Sequence, residues 1–150
     1  MRLDTGSEVL TINQMTQADT LAVKAGVPSL NLMEAAGASV VKEIRKRWTR
    51  RTVVILAGPG NNGGDGFVVA RRLDQIGWPV RIGLLVDKQS LRGDAKINAE
   101  LWGGKTQKLS VGLLEDSELV VDALFGAGLS RPIEGVGRDI LNAINSKKIP

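Results

Sequence analysis

An apolar run, Thr52-Val53-Val54-Ile55-Leu56, passes directly into Ala57-Gly58-Pro59-Gly60-Asn61-Asn62-Gly63-Gly64-Asp65-Gly66 and then into Phe67-Val68-Val69-Ala70-Arg71-Arg72-Leu73. The order is strand, glycine turn, helix. Glycines at 58, 60, 63, 64 and 66 let the backbone approach a bulky neighbour and take angles that other residues resist. A helix that starts here presents free N–H groups and the positive end of its dipole, for which phosphate is the usual guest. Asn61, Asn62 and Asp65 add polar groups that a bare phosphate loop does not need. Gly58, Gly60 and Gly63 satisfy G-x-G-x-x-G after a strand, and Asp87 sits where a ribose-binding acid would follow. Pro59 is an odd occupant of that fingerprint, and the lysine and hydroxyl of a P-loop are absent, which disfavours nucleotide hydrolysis.

Periodicity around this motif predicts alternating strands and helices. Thr11 reads as an N-cap with Gln14 as its capping-box partner, opening a helix with a stripe of Met15, Ala18, Leu21, Ala22 and Ala25 that stops at Gly26. Val27-Pro28-Ser29 restarts the chain, and Leu30, Met33, Gly37, Val40, Val41 and Ile44 recur at helical spacing. Residues 52–57 read as a buried strand, 65–76 as a helix and 79–86 as a second strand. Ser90 is expected to cap a helix over 91–102. A short strand over 105–109, a helical turn over 111–116 and a buried strand over 119–124 follow. Residues 126–137 read as a glycine-punctuated loop, and 139–144 lie in the last helix. This alternation implies an α/β fold, a mostly parallel sheet covered on both faces, with the two N-terminal helices packed outside it. Residues 1–10 read as an arm and 11–150 as one domain, long enough for a core.

Composition narrows the chemistry. The 150 residues contain no cysteine, histidine or tyrosine. Thiolate catalysis, His-based triads and zinc–cysteine sites are excluded, so proton transfer falls to Asp, Glu, Lys, Ser, Thr, backbone or water. The net charge of +4 owes much to Lys42, Arg45, Lys46, Arg47, Arg50 and Arg51, opposed only by Glu43. That run reads as the solvated end of a helix rather than a nucleic-acid surface, because only Trp48 is at hand for base stacking. No signal-peptide pattern or membrane-length apolar run is seen, so a cytoplasmic protein is expected.

A second constellation lies in Val120-Val121-Asp122-Ala123-Leu124-Phe125-Gly126-Ala127-Gly128-Leu129-Ser130-Arg131-Pro132. Asp122 interrupts an apolar strand near its carboxyl end, where open parallel sheets bind ligands. A carboxylate in a buried strand normally has a partner or a task; the plainer alternative is that Asp122 caps the following turn. In a parallel sheet, Asp122 and Asn62 would converge on one crevice.

Taken together, the two motifs resemble the YjeF N-terminal domain family of NAD(P)H-hydrate epimerases, and the likeness runs from about Thr11 to Pro150. The resemblance implies a Rossmann-like three-layer sandwich, often dimeric, acting on the R and S forms of hydrated NADH and NADPH (NADHX and NADPHX). It implies that Asn61, Asn62, Gly63, Gly64 and Asp65, with Gly126, Ala127, Gly128, Leu129, Ser130, Arg131 and Pro132, contact the hydrated dinucleotide. It also implies that Asn62 and Asp122 help hold a potassium ion. Glycine amides of both loops would hold the pyrophosphate, and Asp122 would move the proton as hydroxyl configuration inverts through loss of water or ring opening. Ala127 stands where the family commonly has threonine. The family continues into a further strand and an Asp-x-Pro-Ser-Gly turn, and bacterial members often carry a dehydratase domain. The expectation is therefore a fold incomplete at its C-terminal edge and a chain that is one piece of a larger protein. Relatives that serve as nucleotide- or protein-binding scaffolds are the alternative reading. An ordinary NAD-dependent dehydrogenase lacks a visible substrate domain and a His or Tyr acid.

Overall fold

A computed structural model describes residues 9–150. The predicted arm over 1–10 therefore lies almost wholly outside the described residues. The capping box forms as expected: Thr11 Oγ1 accepts from Gln14 N and Gln14 Oε1 accepts from Thr11 N, opening α1 (Ile12–Lys24). Pro28 precedes α2 (Ser29–Arg47). The chain then runs β1 (Val53–Ala57), α3 (Asn61–Gln75), β2 (Val80–Leu84), α4 (Gly93–Trp102), β3 (Thr106–Lys108), β4 (Leu119–Ala123) and α5 (Gly135–Lys147), with 3-10 turns at Lys88–Ser90 and Val111–Leu114.

All strand pairs are parallel, in the order β3-β2-β1-β4. The chain builds outward from β1 through β2 to β3 and then returns to place β4 on the other side of β1. The predicted α/β parallel sheet with helices on both faces is therefore present. One face of β1 (Val53, Ile55, Ala57) packs with Phe67, Val69, Ala70 and Leu73 of α3, Val41 and Ile44 of α2, and Ala99 of α4. The other face (Val54, Leu56) packs with Leu113 and Leu114 of the second 3-10 turn and Ile140 of α5. Every residue of β1 is buried because the strand is central and covered on both sides, as its unbroken apolar run predicts. Among the described residues, no helix is long and apolar enough to cross a membrane.

Three boundaries differ from the sequence expectation. Helix α3 begins at Asn61, four residues before the expected Asp65, so the glycine motif is the helix's own first turns. Glycine is a poor helix former, but tertiary packing overrides the propensity here. A Cβ at Gly63 would fall 2.0 Å from the Gly58 carbonyl oxygen, one at Gly64 2.6 Å from Met33 Sδ, and one at Gly66 2.8 Å from Ala123 Cβ. Helix α4 begins at Gly93 rather than Leu91, and Ser90 does not cap it; its hydroxyl instead donates to Asp87 O in the preceding turn. Helix α5 begins at Gly135, inside the stretch read as loop.

The N-terminal helices divide. Met33, Gly37, Val41 and Ile44 of α2 are buried, as their spacing predicts. The stripe of α1 is not: no residue of this helix is buried, and Met15 and Leu21 are 48% and 64% exposed. The basic run is solvated, with Lys46 and Arg47 both pairing with Glu43 on one exposed helix face.

Gly66→Ala is expected to destabilise the protein by about 1–3 kcal/mol, because the added methyl has no room between α3, Ile55 and Ala123. Gly128→Ala, in open space, should change stability by less than about 0.5 kcal/mol. Urea unfolding of the two variants checks both.

Candidate functional site

The two glycine motifs meet where the sheet order reverses, between β1 and β4. Loops leaving the carboxyl ends of adjacent strands that run to opposite sides open a crevice there. The contact is close. Gly58 N donates to Ala123 O at 2.9 Å, and a Cβ at Gly58 would lie 1.7 Å from Leu124 O. Asn62 Nδ2 then donates to Phe125 O at 2.9 Å, and a Cβ at Gly126 would lie 3.3 Å from Asn62 Cβ. The motifs are far apart in sequence and form one structure.

Asp122 is exposed rather than buried. The expectation of a carboxylate in a buried strand fails because β4 is the edge of the described sheet, paired on one side with β1 and touched on the other by Val120 N donating to Pro150 O. Asp122 lies in register with Leu56, whose side chain faces the α5 layer. Its Oδ1 accepts from Leu124 N at 3.0 Å, so the carboxylate caps the turn after the strand. Asn62 and Asp122 are thus brought to one turn, residues 122–126, which they brace through different backbone groups. No hydrogen bond joins them.

The remaining residues implied by the family resemblance separate. Gly63 and Gly64 are buried, and their missing side chains admit Gly58, Met33 and Ala95. Packing already requires glycine at these positions, whatever their amides hold. Free donors at the helix start are the amides of Asn61, Asn62 and Gly63, since Gly64 N already bonds Gly60 O. Gly126, Ala127, Gly128, Leu129, Ser130, Arg131 and Pro132 are all exposed. Asn61 and Asp65, one helical turn apart, point away from Asn62's partner and line a cavity of about 890 Å³ between α1, α2 and the starts of α3 and α4. Asp19 of α1 and Asp94 of α4 share this cavity with apolar walls from Met15, Leu32 and Met33. Behind Met33, Asn98 of α4 donates to its sulfur and to Asp94 O, both at 3.1 Å, and fixes that wall.

Among the described residues, Asp65 is the carboxylate whose pKa is raised. Burial, and then the like charge of Asp19, push its pKa up from 3.8 to about 6. Glu34 shows the contrast. Although partial burial opposes ionisation, hydrogen bonds and charges from Arg71 and Arg72 hold its carboxyl below the usual range. Sequence reasoning singled out Asp65 as a polar group of the glycine motif, gave it a ligand contact only through the family resemblance, and missed Asp19. The signal was the helical offset of Asp65 from Asn61, legible only once α3 is known to start at Asn61.

A profile of the YjeF-related protein N-terminus family matches residues 29–150. The chain belongs to that family. It is 42% identical to an NAD(P)H-hydrate epimerase of Rhodobacter capsulatus, over 87% of this chain and 68% of that one. It is 38% identical to an NAD(P)H-hydrate epimerase of Roseobacter litoralis, over 86% and 68%. A bifunctional NAD(P)H-hydrate repair enzyme Nnr of Moorella thermoacetica is 38% identical, over 91% of this chain and 29% of its own. A crystal structure of yeast ynu0 superposes with a TM-score of 0.77 at 24% identity, over 93% of this chain and 65% of that one, and shows the shared fold.

The raised pKa makes a stability prediction. Between pH 3.8 and about 6 the folded chain binds more protons at Asp65 than the unfolded chain, so this group's contribution to stability falls as pH rises through that window. Asp65→Asn removes the penalty. The variant should match the parent near pH 3.5 and be more stable above pH 6, by roughly 1 kcal/mol after discounting for partial solvent access. Melting temperatures measured across that range check the sign.

Proposed function

We propose that this chain is an NAD(P)H-hydrate epimerase, an isomerase that interconverts the R and S forms of hydrated NADH and NADPH in nicotinamide nucleotide repair. The observation that carries the reading is the junction of its two motifs at the switch point, closed by Asn62 and Phe125, in a chain belonging to this family. Relatives named as epimerases, at up to 42% identity, support the same activity.

The geometry suits the substrate in parts. The start of α3 offers the amides of Asn61, Asn62 and Gly63 to the pyrophosphate. The exposed turn from Gly126 to Pro132 lies beside it, with Arg131 available for a phosphate and Ser130 for a hydroxyl. Inversion at the hydroxyl-bearing carbon can run by loss of that hydroxyl as water and its re-addition on the other face, or by ring opening, in which the carbon–nitrogen bond breaks, the hydroxyl becomes a carbonyl and the nitrogen re-adds on the other face. Both routes require a proton donor and acceptor, and Asp122 is the group this reading places at the motif junction.

The resemblance also implies a potassium ion. Asn62 spends its amide nitrogen on Phe125 O and keeps Oδ1, and Asp122 spends Oδ1 on Leu124 N and keeps Oδ2. These are hard oxygen donors, which fit such a cation, and Asn62 and Asp122 would hold it. Among the described residues no group of three or more His, Cys, Asp or Glu gathers, so backbone carbonyls, water or substrate would complete the shell. When bound, the ion supplies positive charge beside the phosphates. Assembly as a homodimer and a cytoplasmic location belong to the same reading.

The test incubates the protein with an R-enriched hydrate and follows the isomer ratio by chromatography. Equilibration well above the spontaneous rate is expected, and a rate equal to the spontaneous one would leave a binding scaffold. Asp122→Asn should lower the rate about 100-fold or more while the fold persists. Asn62→Ala should weaken ligand binding first, because it removes the side-chain bond between the two motifs.

A further inference from the structure

Asp87 takes no part in the motif junction, although the glycine fingerprint expects an acid for a ribose at its place. The sheet order, β3-β2-β1-β4 with every pair parallel, is the order in which dinucleotide-binding folds begin. Ala57 pairs with Leu84, and Leu85 N donates to Ala57 O at 2.9 Å, so the chain leaves β2 alongside Gly58. Val86 still packs against the core, and Asp87, the next residue, is exposed. Its backbone is held in place. Ser90 N and Ser90 Oγ both donate to Asp87 O, at 2.9 and 2.7 Å, and the following Leu91 is buried. With strands about 4.8 Å apart and rising about 3.3 Å per residue, Asp87 lies on the order of 10 Å from Gly60, the N-cap of α3. That is the reach of an adenosine diphosphate from phosphates at a helix start to its ribose hydroxyls.

We propose that Asp87 accepts hydrogen bonds from the 2′- and 3′-hydroxyls of the adenosine ribose and so makes NADHX the preferred substrate over NADPHX. The inference rests on the epimerase reading above and selects between the two hydrates that it names. Among the described residues Asp87 is in no ion pair, and its side chain makes no cap bond to the 3-10 turn it precedes. Both carboxylate oxygens therefore remain for a diol, whose two hydroxyls donate to them. NADPHX carries a phosphate on the 2′-oxygen. That group removes one donor and sets further negative charge against the carboxylate, and the repulsion works as discrimination.

The cations that follow Asp87 in sequence have other neighbours. Lys88 lines a groove of about 280 Å³ with Gln89, Lys96, Ala99 and Glu100, between the 3-10 turn and α4. Arg92 spends Nη1 on Gln89 O and Leu91 O, both at 2.8 Å. Neither is within ion-pair distance of Asp87. A 2′-phosphate arriving at the end of β2 therefore meets an uncompensated carboxylate. Asp87 would touch the half of the substrate that does not react, so its loss is read in binding rather than in the inversion itself.

The experiment compares parent, Asp87→Ser and Asp87→Glu on NADHX and NADPHX. In parallel it measures their binding of ADP-ribose and of 2′-phospho-ADP-ribose by calorimetry. The parent should favour NADHX in kcat/KM, and ADP-ribose in affinity, by about 10-fold or more, the scale of a hydrogen bond to a charged group. Asp87→Ser should bring both ratios close to one, with the loss on NADHX carried by KM and not by kcat. Asp87→Glu keeps the charge and should keep the direction of both preferences. Asp87 is exposed, so the variants should melt with the parent, which circular dichroism checks. An active parent that uses both hydrates equally, or an Asp87→Ser variant that retains the parent's ratios, would overturn this assignment and leave the epimerase reading standing. A parent that epimerises neither hydrate removes that reading and the substrate preference with it. The calorimetric ratio then decides the ribose contact alone: collapse in Asp87→Ser upholds it, and an unchanged ratio removes it.

Discussion

The approach of α3 to the ends of β1 and β4 is the contact on which the site depends. Gly58 sits against Leu124 O, Gly63 against Gly58 O, and Gly66 against Ala123 and Ile55. Each contact is possible only because a Cβ is missing. Together they bring a helix start down onto a strand end at the point where the strand order reverses. The hydrogen bonds from Gly58 N to Ala123 O and from Asn62 Nδ2 to Phe125 O then lock one motif to the other. Larger residues here would hold the helix off the sheet, and the side chains of Asn61, Asn62 and Asp65 would move with it.

That geometry assigns different environments to carboxylates that look alike in sequence. Asp122 is exposed at the edge strand and occupied by the amide two residues on. Asp65 is half-buried, faces Asp19, and has its pKa raised. Glu34 meets two guanidinium groups and has its pKa lowered. Desolvation and neighbouring charge, not residue type, separate these acids. In a chain without histidine, cysteine or tyrosine, proton transfer falls to Asp, Glu, Lys, Ser, Thr, backbone or water, and among its carboxylates Asp65 and Glu34 are shifted in opposite directions.

The helix and strand order was legible because the apolar runs of β1 and β4 and the 3.6-residue spacing of α2 follow from burial on two faces and on one face. The capping box at Thr11 and Gln14 was legible because it is local. The start of α3 was misplaced because glycines read as loop until the partners that need their absent side chains are known. The start of α4 was misplaced because Ser90 had a nearer acceptor in Asp87 O. The burial of Asp122 was misjudged because alternation along a strand does not reveal whether a neighbouring strand covers its edge.

By itself, the sequence determined the α/β class, the strand–glycine–helix unit, the family and the exclusion of histidine and thiol chemistry. These depend on residue type and short-range order, which a linear string contains. Only the tertiary structure decided that Asn62 reaches Phe125, that Asp122 is an exposed turn cap, and that Asp65 shares a cavity with Asp19. The cap from Asp122 to Leu124 N is local, but the exposure of Asp122 depends on what covers β4; the other two join residues from separate elements, and the chain's own spacing cannot specify such a distance. It is set by how closely α1, α2 and α3 pack around the point where the strand order reverses.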